Sequence, residues 1–244
     1  MAKGNYGVTA LGGLGGSGAG GNSSGKPGAN GKPMRGQIEP IINVTTSWEA
    51  HDLSKSQVNQ INRYAVKMIQ EETGMSKSEA EKADKAMIDY FGGDYKAYKS
   101  GQKTNFIDKI DSTLSRMSAY DGTIYRGMSF LNHSDYDNFI REVQTSGVYS
   151  GNGSVTSWTS EEITGDYFAS FAFSTNSVKI ICRNNSAAVG VQHISKFGKA
   201  ESEVLAPSQV QWKVDKITTT NSGKFRKTVI EVSQEKYSYQ KKKK

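Results

Sequence analysis

One cysteine and three histidines are all that this 244-residue chain offers of the soft metal-binding side chains. A lone cysteine, Cys182, excludes an intrachain disulfide and any multi-cysteine metal site. It lies in the apolar run 178–182 and reads as a buried strand residue. His51, His133 and His193 stand far apart, without zinc-like spacing, and read as surface or structural residues; no metal is expected. No apolar run approaches the ~18 residues of a membrane helix, so no membrane span is expected. The N-terminus lacks the apolar core of a Sec signal, and any export is expected to take another route. A dinucleotide-binding glycine loop is missing too. The glycine run at 12–21 neither follows a strand nor opens a helix. No internal repeat is visible.

Acid is absent from residues 1–36, which carry +4 and 13 of the 26 glycines. The four C-terminal lysines add another +4, which leaves −1 of the formal +7 for residues 37–240. The high isoelectric point therefore reflects two basic tails around a nearly neutral middle, and no specific nucleic-acid partner is expected. Residues 1–43 are expected to form a flexible Gly-rich basic arm, because such a composition buries too little to offset ordering entropy. Residues 235–244 form a basic tail.

Between them, residues 44–234 read as one α+β domain. Val58, Ile61, Ala65, Met68 and Ile69 mark one helical face. Ser76 followed by Glu79 is a capping box for a helix through Tyr90, with Gly92-Gly93 as its stop. Phe106, Ile107, Ile110, Leu114 and Met117 form a third stripe. These place a helical lobe at 44–118. From 119 to 234 strand patterns take over: 122–125, 154–159, 178–182, 187–191, 204–206, 210–216 and 228–232. Two helices interrupt them, one carrying Tyr136, Phe139, Ile140 and Val143, the other over 161–173.

Three short runs stand out in this second half: Tyr125-Arg126-Gly127, Ser157-Trp158-Thr159 and Glu201-Ser202-Glu203. In an extended chain residues i and i+2 share a side. Glu201 and Glu203 would then face one pocket, and Ser157 and Thr159 the same site, with Trp158 turned away to pack. Like charges held that close repel unless a cation meets them or their roles differ. Each run alone is common. In this order, 31 and then 46 residues apart, on a strand, a strand before a helix, and a loop before a strand, they resemble the R-S-E class of mono-ADP-ribosyltransferases. That class includes clostridial binary toxins, C3-like exoenzymes and phage-encoded modifying enzymes.

The resemblance is strongest over 119–234 and covers the lobe by layout only. It implies the ADP-ribosyltransferase-type fold, two packed mixed or antiparallel sheets with an N-terminal helical lobe, and NAD as substrate without a metal. Cleaving the N-glycosidic bond of NAD expels nicotinamide and builds positive charge at the anomeric carbon; a fixed carboxylate, by resemblance Glu203, stabilises that charge. Arg126 forks onto phosphate oxygens. Gly127 lets backbone approach nicotinamide. Ser157 orients the carboxylate, and Thr159 completes the NAD-binding set. Trp158 departs from the family's usual middle threonine. Glu201 implies an arginine acceptor on a target protein, since a second carboxylate can bind a guanidinium and take its proton. Phe197, on the same loop, either packs on that target or anchors the loop. A monomer is expected, acting in the cytoplasm of a host or target cell after phage delivery or Sec-independent export. An NAD glycohydrolase using the same site, and a non-enzymatic virion protein with a degenerate fold, are the alternatives.

Overall fold

The structure, a computed structural model, describes residues 34–94, 104–170 and 174–234. The first 33 residues of the expected arm, the tail at 235–244, and the end of the helix expected over 161–173 lie outside them.

Among the described residues the lobe is built from the helices α1 (Ser47–Asp52), α2 (Lys55–Thr73), α3 (Lys77–Asp89) and α4 (Thr104–Leu114). The first three each open with a reciprocal capping box, Thr46 with Glu49, Ser54 with Gln57, and Ser76 with Glu79. Each box satisfies two amide donors that the helix leaves unpaired. The apolar stripes face inward: Ala65, Ile69, Ala83, Met87, Ile110 and Leu114 share one core. Gly92-Gly93 do not stop α3 as expected. The helix widens into a π turn, Tyr90–Asp94, that runs through both glycines. A π turn inserts a residue and rotates the face that follows. Here it carries the Tyr90 hydroxyl to the sheet, 2.8 Å from the Ser157 Oγ.

The described residues hold ten strands: β1 (Met34–Arg35), β2 (Ala119–Tyr120), β3 (Ile124–Phe130), β4 (Val148–Ser150), β5 (Thr156–Thr159), β6 (Asn176–Cys182), β7 (Val189–Gly190), β8 (Glu203–Ala206), β9 (Gln211–Ser222) and β10 (Phe225–Gln234). Helix α5 (His133–Ser146) lies between β3 and β4, and α6 (Glu162–Ala169) between β5 and β6. Strands β1 and β2 form a short parallel pair; the other eight run in the order β4-β9-β10-β6-β3-β5-β8-β7. The sheet is mixed, since β10 and β6 are parallel and their neighbours antiparallel.

The two packed sheets of the expectation are joined, but barely. Strand β3 pairs with β6 from Ile124 to Phe130, yet meets β5 only at Tyr125 and Thr159. This one-pair seam divides a five-stranded limb from a three-stranded limb. Met128, Val178 and Ile230 of the long limb share a core with Trp158, Val204 and Ala206 of the short one. The opposite face of the short limb, with Val189 and Leu205, packs on the helical lobe. Alternation along β5 and β8 thus sends Trp158 into the first core, 4.7 Å from the Trp212 ring, and leaves Ser157 opposite Leu205 on the lobe side.

Residues 34–43, assigned with the arm in the sequence reading, lie against the domain. Arg35 pairs with Glu72 of α2, the Ile38 carbonyl accepts from Gln192 Nε2 at 3.0 Å, and Glu39 pairs with Lys199 at 2.6 Å. The domain therefore includes Met34. The hydropathy of this segment signals it weakly, because polar bonds do most of the holding, with only Met34 buried and Ile42 packed on the cluster of Val44, Ala50 and Ala200.

Candidate active site

The seam gathers Arg126, Ser157 and Glu203. Arg126 follows the single β3–β5 pair and is 7% exposed. Its Nη1 donates to the Ser157 carbonyl, bridging the limbs where ladder bonds run out. Its Nε is buried with no hydrogen-bond partner. Glu203 opens β8 opposite Thr159 and is 4% exposed; its Oε2 is likewise buried and unpaired. A cationic donor and an anionic acceptor, each left unsatisfied at the same seam, point to a ligand that supplies both partners. The phosphates and ribose hydroxyls of a dinucleotide fit that donor set.

Burial, and then the charge of Glu201, raise the proton affinity of Glu203; a Ser157 hydrogen bond and Arg126 oppose this. Burial also raises that of half-buried Glu201, against the pull of Lys196. The two carboxylates titrate as a pair. Tyr90 was missed by the sequence reading. Burial first, and then the charge of Glu203, push its phenol up, so it stays protonated. It can donate to Ser157 Oγ, which frees the serine proton for Glu203. Its only sequence signal was an aromatic at the end of a helical stripe, which periodicity assigns to core.

Glu201 and Glu203 do not face one side through strand alternation. The chain before β8 is a 3-10 turn, Gly198–Ala200, followed by Ser202 at φ 42°. A non-glycine residue in the left-handed region is held there only if its surroundings over-determine it. Ser202 is so held. Its amide donates to the Gly198 carbonyl at 3.3 Å and its Oγ to the Lys199 carbonyl at 3.2 Å. Its own carbonyl accepts from the Ser160 amide at 3.0 Å and from Gln37 Nε2 at 3.2 Å. The turn, and not an extended strand, brings Glu201 within electrostatic reach of Glu203.

Gly127 and Thr159 also have packing roles that their motifs do not reveal, and Phe197 takes one of its two expected places. A Cβ on Gly127 would collide with the Gly165 carbonyl and the Ala169 amide. The glycine therefore admits α6 against β3, and the space beside it is filled by helix backbone. Lys179, opposite Gly127 on β6, ties α6 down through Glu162 and Asp166 at 2.8 and 2.9 Å. Thr159 Oγ1 accepts from the Glu161 amide at 3.1 Å, so its hydroxyl serves the entry to α6. Phe197 anchors the loop. It packs on the cluster of Val44, Ala50 and Ala200, with its ring edge-on to His51. A cleft lined by Ile163, Tyr167, Phe168 and Ala200 separates α6 from the turn.

Of the histidines, His193 is buried against Glu72 at 2.9 Å, and His133 Nδ1 meets Asn176 Oδ1 at 2.9 Å. Among the described residues no group of His, Cys, Asp and Glu has metal-binding geometry, and no helix is long and apolar enough to cross a membrane.

A model of the ADP-ribosyltransferase exoenzyme family matches residues 45–236. Similar solved structures include the ADP-ribosyltransferase HopU1 of Pseudomonas syringae pv. Tomato DC3000, 18% identical over 55% of each chain with a TM-score of 0.43. The chain thus spans about half the length of HopU1. The Vis toxin from Vibrio splendidus is 18% identical over 75% of this chain and 87% of its own, with a TM-score of 0.45. The C3 exoenzyme of Clostridium limosum is 14% identical over 73% of this chain and 94% of its own, with a TM-score of 0.46. No curated protein matches the chain.

Proposed function

The chain belongs to the ADP-ribosyltransferase exoenzyme family, and from that premise we propose that it transfers ADP-ribose from NAD to an arginine of a target protein. Membership makes it an ADP-ribosyltransferase with NAD as its substrate; the arginine acceptor and the residue roles are the proposal. The observation that carries it is the carboxylate pair at the seam, Glu203 buried with its Oε2 unpaired, Glu201 half-buried beside it.

In this reading the bond between the ribose anomeric carbon and the nicotinamide nitrogen breaks, and its electron pair leaves with nicotinamide. Positive charge grows on the ribose. The ionised form of Glu203 stabilises that charge, and the charge in turn favours the ionised form when NAD is bound. Ser157, backed by Tyr90, holds the carboxylate. Arg126 meets the phosphates through its unpaired Nε. A guanidinium nitrogen of the acceptor then bonds to the anomeric carbon, and its proton passes to Glu201. A carboxylate whose proton affinity burial has raised is better suited to that step than an exposed one.

Incubating the chain with labelled NAD and a lysate, followed by mass spectrometry of the labelled residues, tests the acceptor. ADP-ribose on arginine is expected. Label on another residue type would overturn the arginine reading. Nicotinamide release that labels no protein would favour the glycohydrolase.

A further inference from the structure

We infer that Gln37 is a positioning residue that sets the acceptor carboxylate Glu201, an inference that rests on the function proposed above. Gln37 sits on the N-terminal segment 34–44, a strap that lies against the domain, outside every motif of the sequence. Its Nε2 lies 3.2 Å from the Ser202 carbonyl, 3.4 Å from Ser160 Oγ and 3.5 Å from the Glu203 carbonyl. Carbonyls only accept, so the amide nitrogen must face them. Its Oε1 is buried without a partner. That oxygen occupies the place where a Cβ on Gly190 would stand. The carboxamide thus has a slot of its own, closed on one side by β7 and on the other by the catalytic turn.

The two carboxylates depend on this slot unequally. Glu203 is pinned by the sheet: it pairs with Thr159 of β5, and its carbonyl accepts from the Val191 amide at 2.9 Å. Glu201 lies on the far side of Ser202, where φ is 42°. No ladder fixes it. Its direction follows from the backbone of Ser202, and the Ser202 carbonyl is where Gln37 donates. The strap adds a second hold one residue before Glu201, since the Ala200 amide donates to the Val44 carbonyl at 3.0 Å. Releasing Gln37 therefore lets Glu201 drift while Glu203 stays on its strand. Transfer to arginine suffers more than cleavage of NAD.

The test compares two rates in each variant: nicotinamide release in buffer, and ADP-ribosylation of agmatine, a small guanidine used as acceptor. Gln37→Glu keeps the shape but turns an acceptor towards two carbonyls. It is expected to lower agmatine labelling about 10-fold more than nicotinamide release, the scale on which a misplaced reacting group costs rate. Gly190→Ala pushes the carboxamide out from the other side and should shift the same ratio. Added to Gln37→Ala, where the collision partner is gone, Gly190→Ala should shift it no further. Equal loss of both rates in Gln37→Glu would mean general destabilisation and overturn the inference. So would an unchanged ratio, or a Gly190→Ala effect that is the same in both backgrounds. A parent chain that releases nicotinamide but labels neither agmatine nor protein arginine in a lysate refutes the arginine reading itself, and the inference with it, before any variant is compared; if only protein arginine is labelled, that protein replaces agmatine as acceptor in the comparison.

Discussion

The helical lobe and the turn before β8 treat their polar groups in opposite ways. In the lobe, three successive helices begin with reciprocal capping boxes, and α2 ends on Gly74 in the left-handed conformation with its amide bonded to the Gln70 carbonyl. Local sequence satisfies local backbone there. Around the turn a serine takes a glycine-like φ, an arginine Nε and a glutamate Oε2 are buried unpaired, and both carboxylates hold protons more tightly than usual. These costs are tolerated because strap, sheet and lobe meet at this point and hold it from three sides. Stability is built in the lobe and partly given up at the seam, where the active site is proposed.

The largest effect that would sharpen this contrast is on acceptor chemistry. Glu201→Gln should lower arginine labelling by about 100-fold or more, while nicotinamide release falls far less, because only the proton-accepting group is lost. If labelling survives, another group activates the acceptor. Arg126→Lys comes next. It keeps the charge but loses the planar fork, so the dissociation constant for NAD, read by calorimetry, should rise about 10-fold. An unchanged constant would put the phosphates elsewhere.

Stability gives the third comparison. Burial raises the pKa of Glu203, so its neutral form favours the folded state. That gain is fully present below the ordinary carboxylate value of about 4.3 and is lost as pH rises through the raised folded value. Glu203→Gln stays neutral throughout. Its melting temperature should exceed the parent's by a few degrees near pH 8, with the gap closing towards pH 4; a gap independent of pH would remove ionisation as the cause. The smallest effect belongs to the lobe. Ser76→Ala removes one capping box and should cost about 1 kcal/mol in denaturant unfolding, with nicotinamide release unchanged.

What the sequence made legible follows the same division. Capping boxes and apolar stripes are short-range signals, and the lobe helices could be read from them. The pattern of 119–234 likewise placed most strands, though β9 continues to Ser222 beyond its apolar part. Arg126, Ser157, Glu201 and Glu203 were named from motif order, and the structure brings them to one seam. Their geometry was less legible. The φ of Ser202 depends on bonds from Ser160 and Gln37, 42 and 165 residues away along the chain. Periodicity could not separate Tyr90 from a core aromatic. Gly127 and Thr159 carried a motif meaning, yet each also solves the packing of α6, which no single-strand pattern reveals.

The most direct measurement of the whole assignment is nicotinamide release from NAD by the parent chain and by Glu203→Gln, each checked for an intact fold by circular dichroism. If the seam is the active site, the variant folds and its release rate falls by roughly 100-fold or more, the scale of losing one preorganised electrostatic group. A folded Glu203→Gln chain that releases nicotinamide at the parent's rate would contradict it.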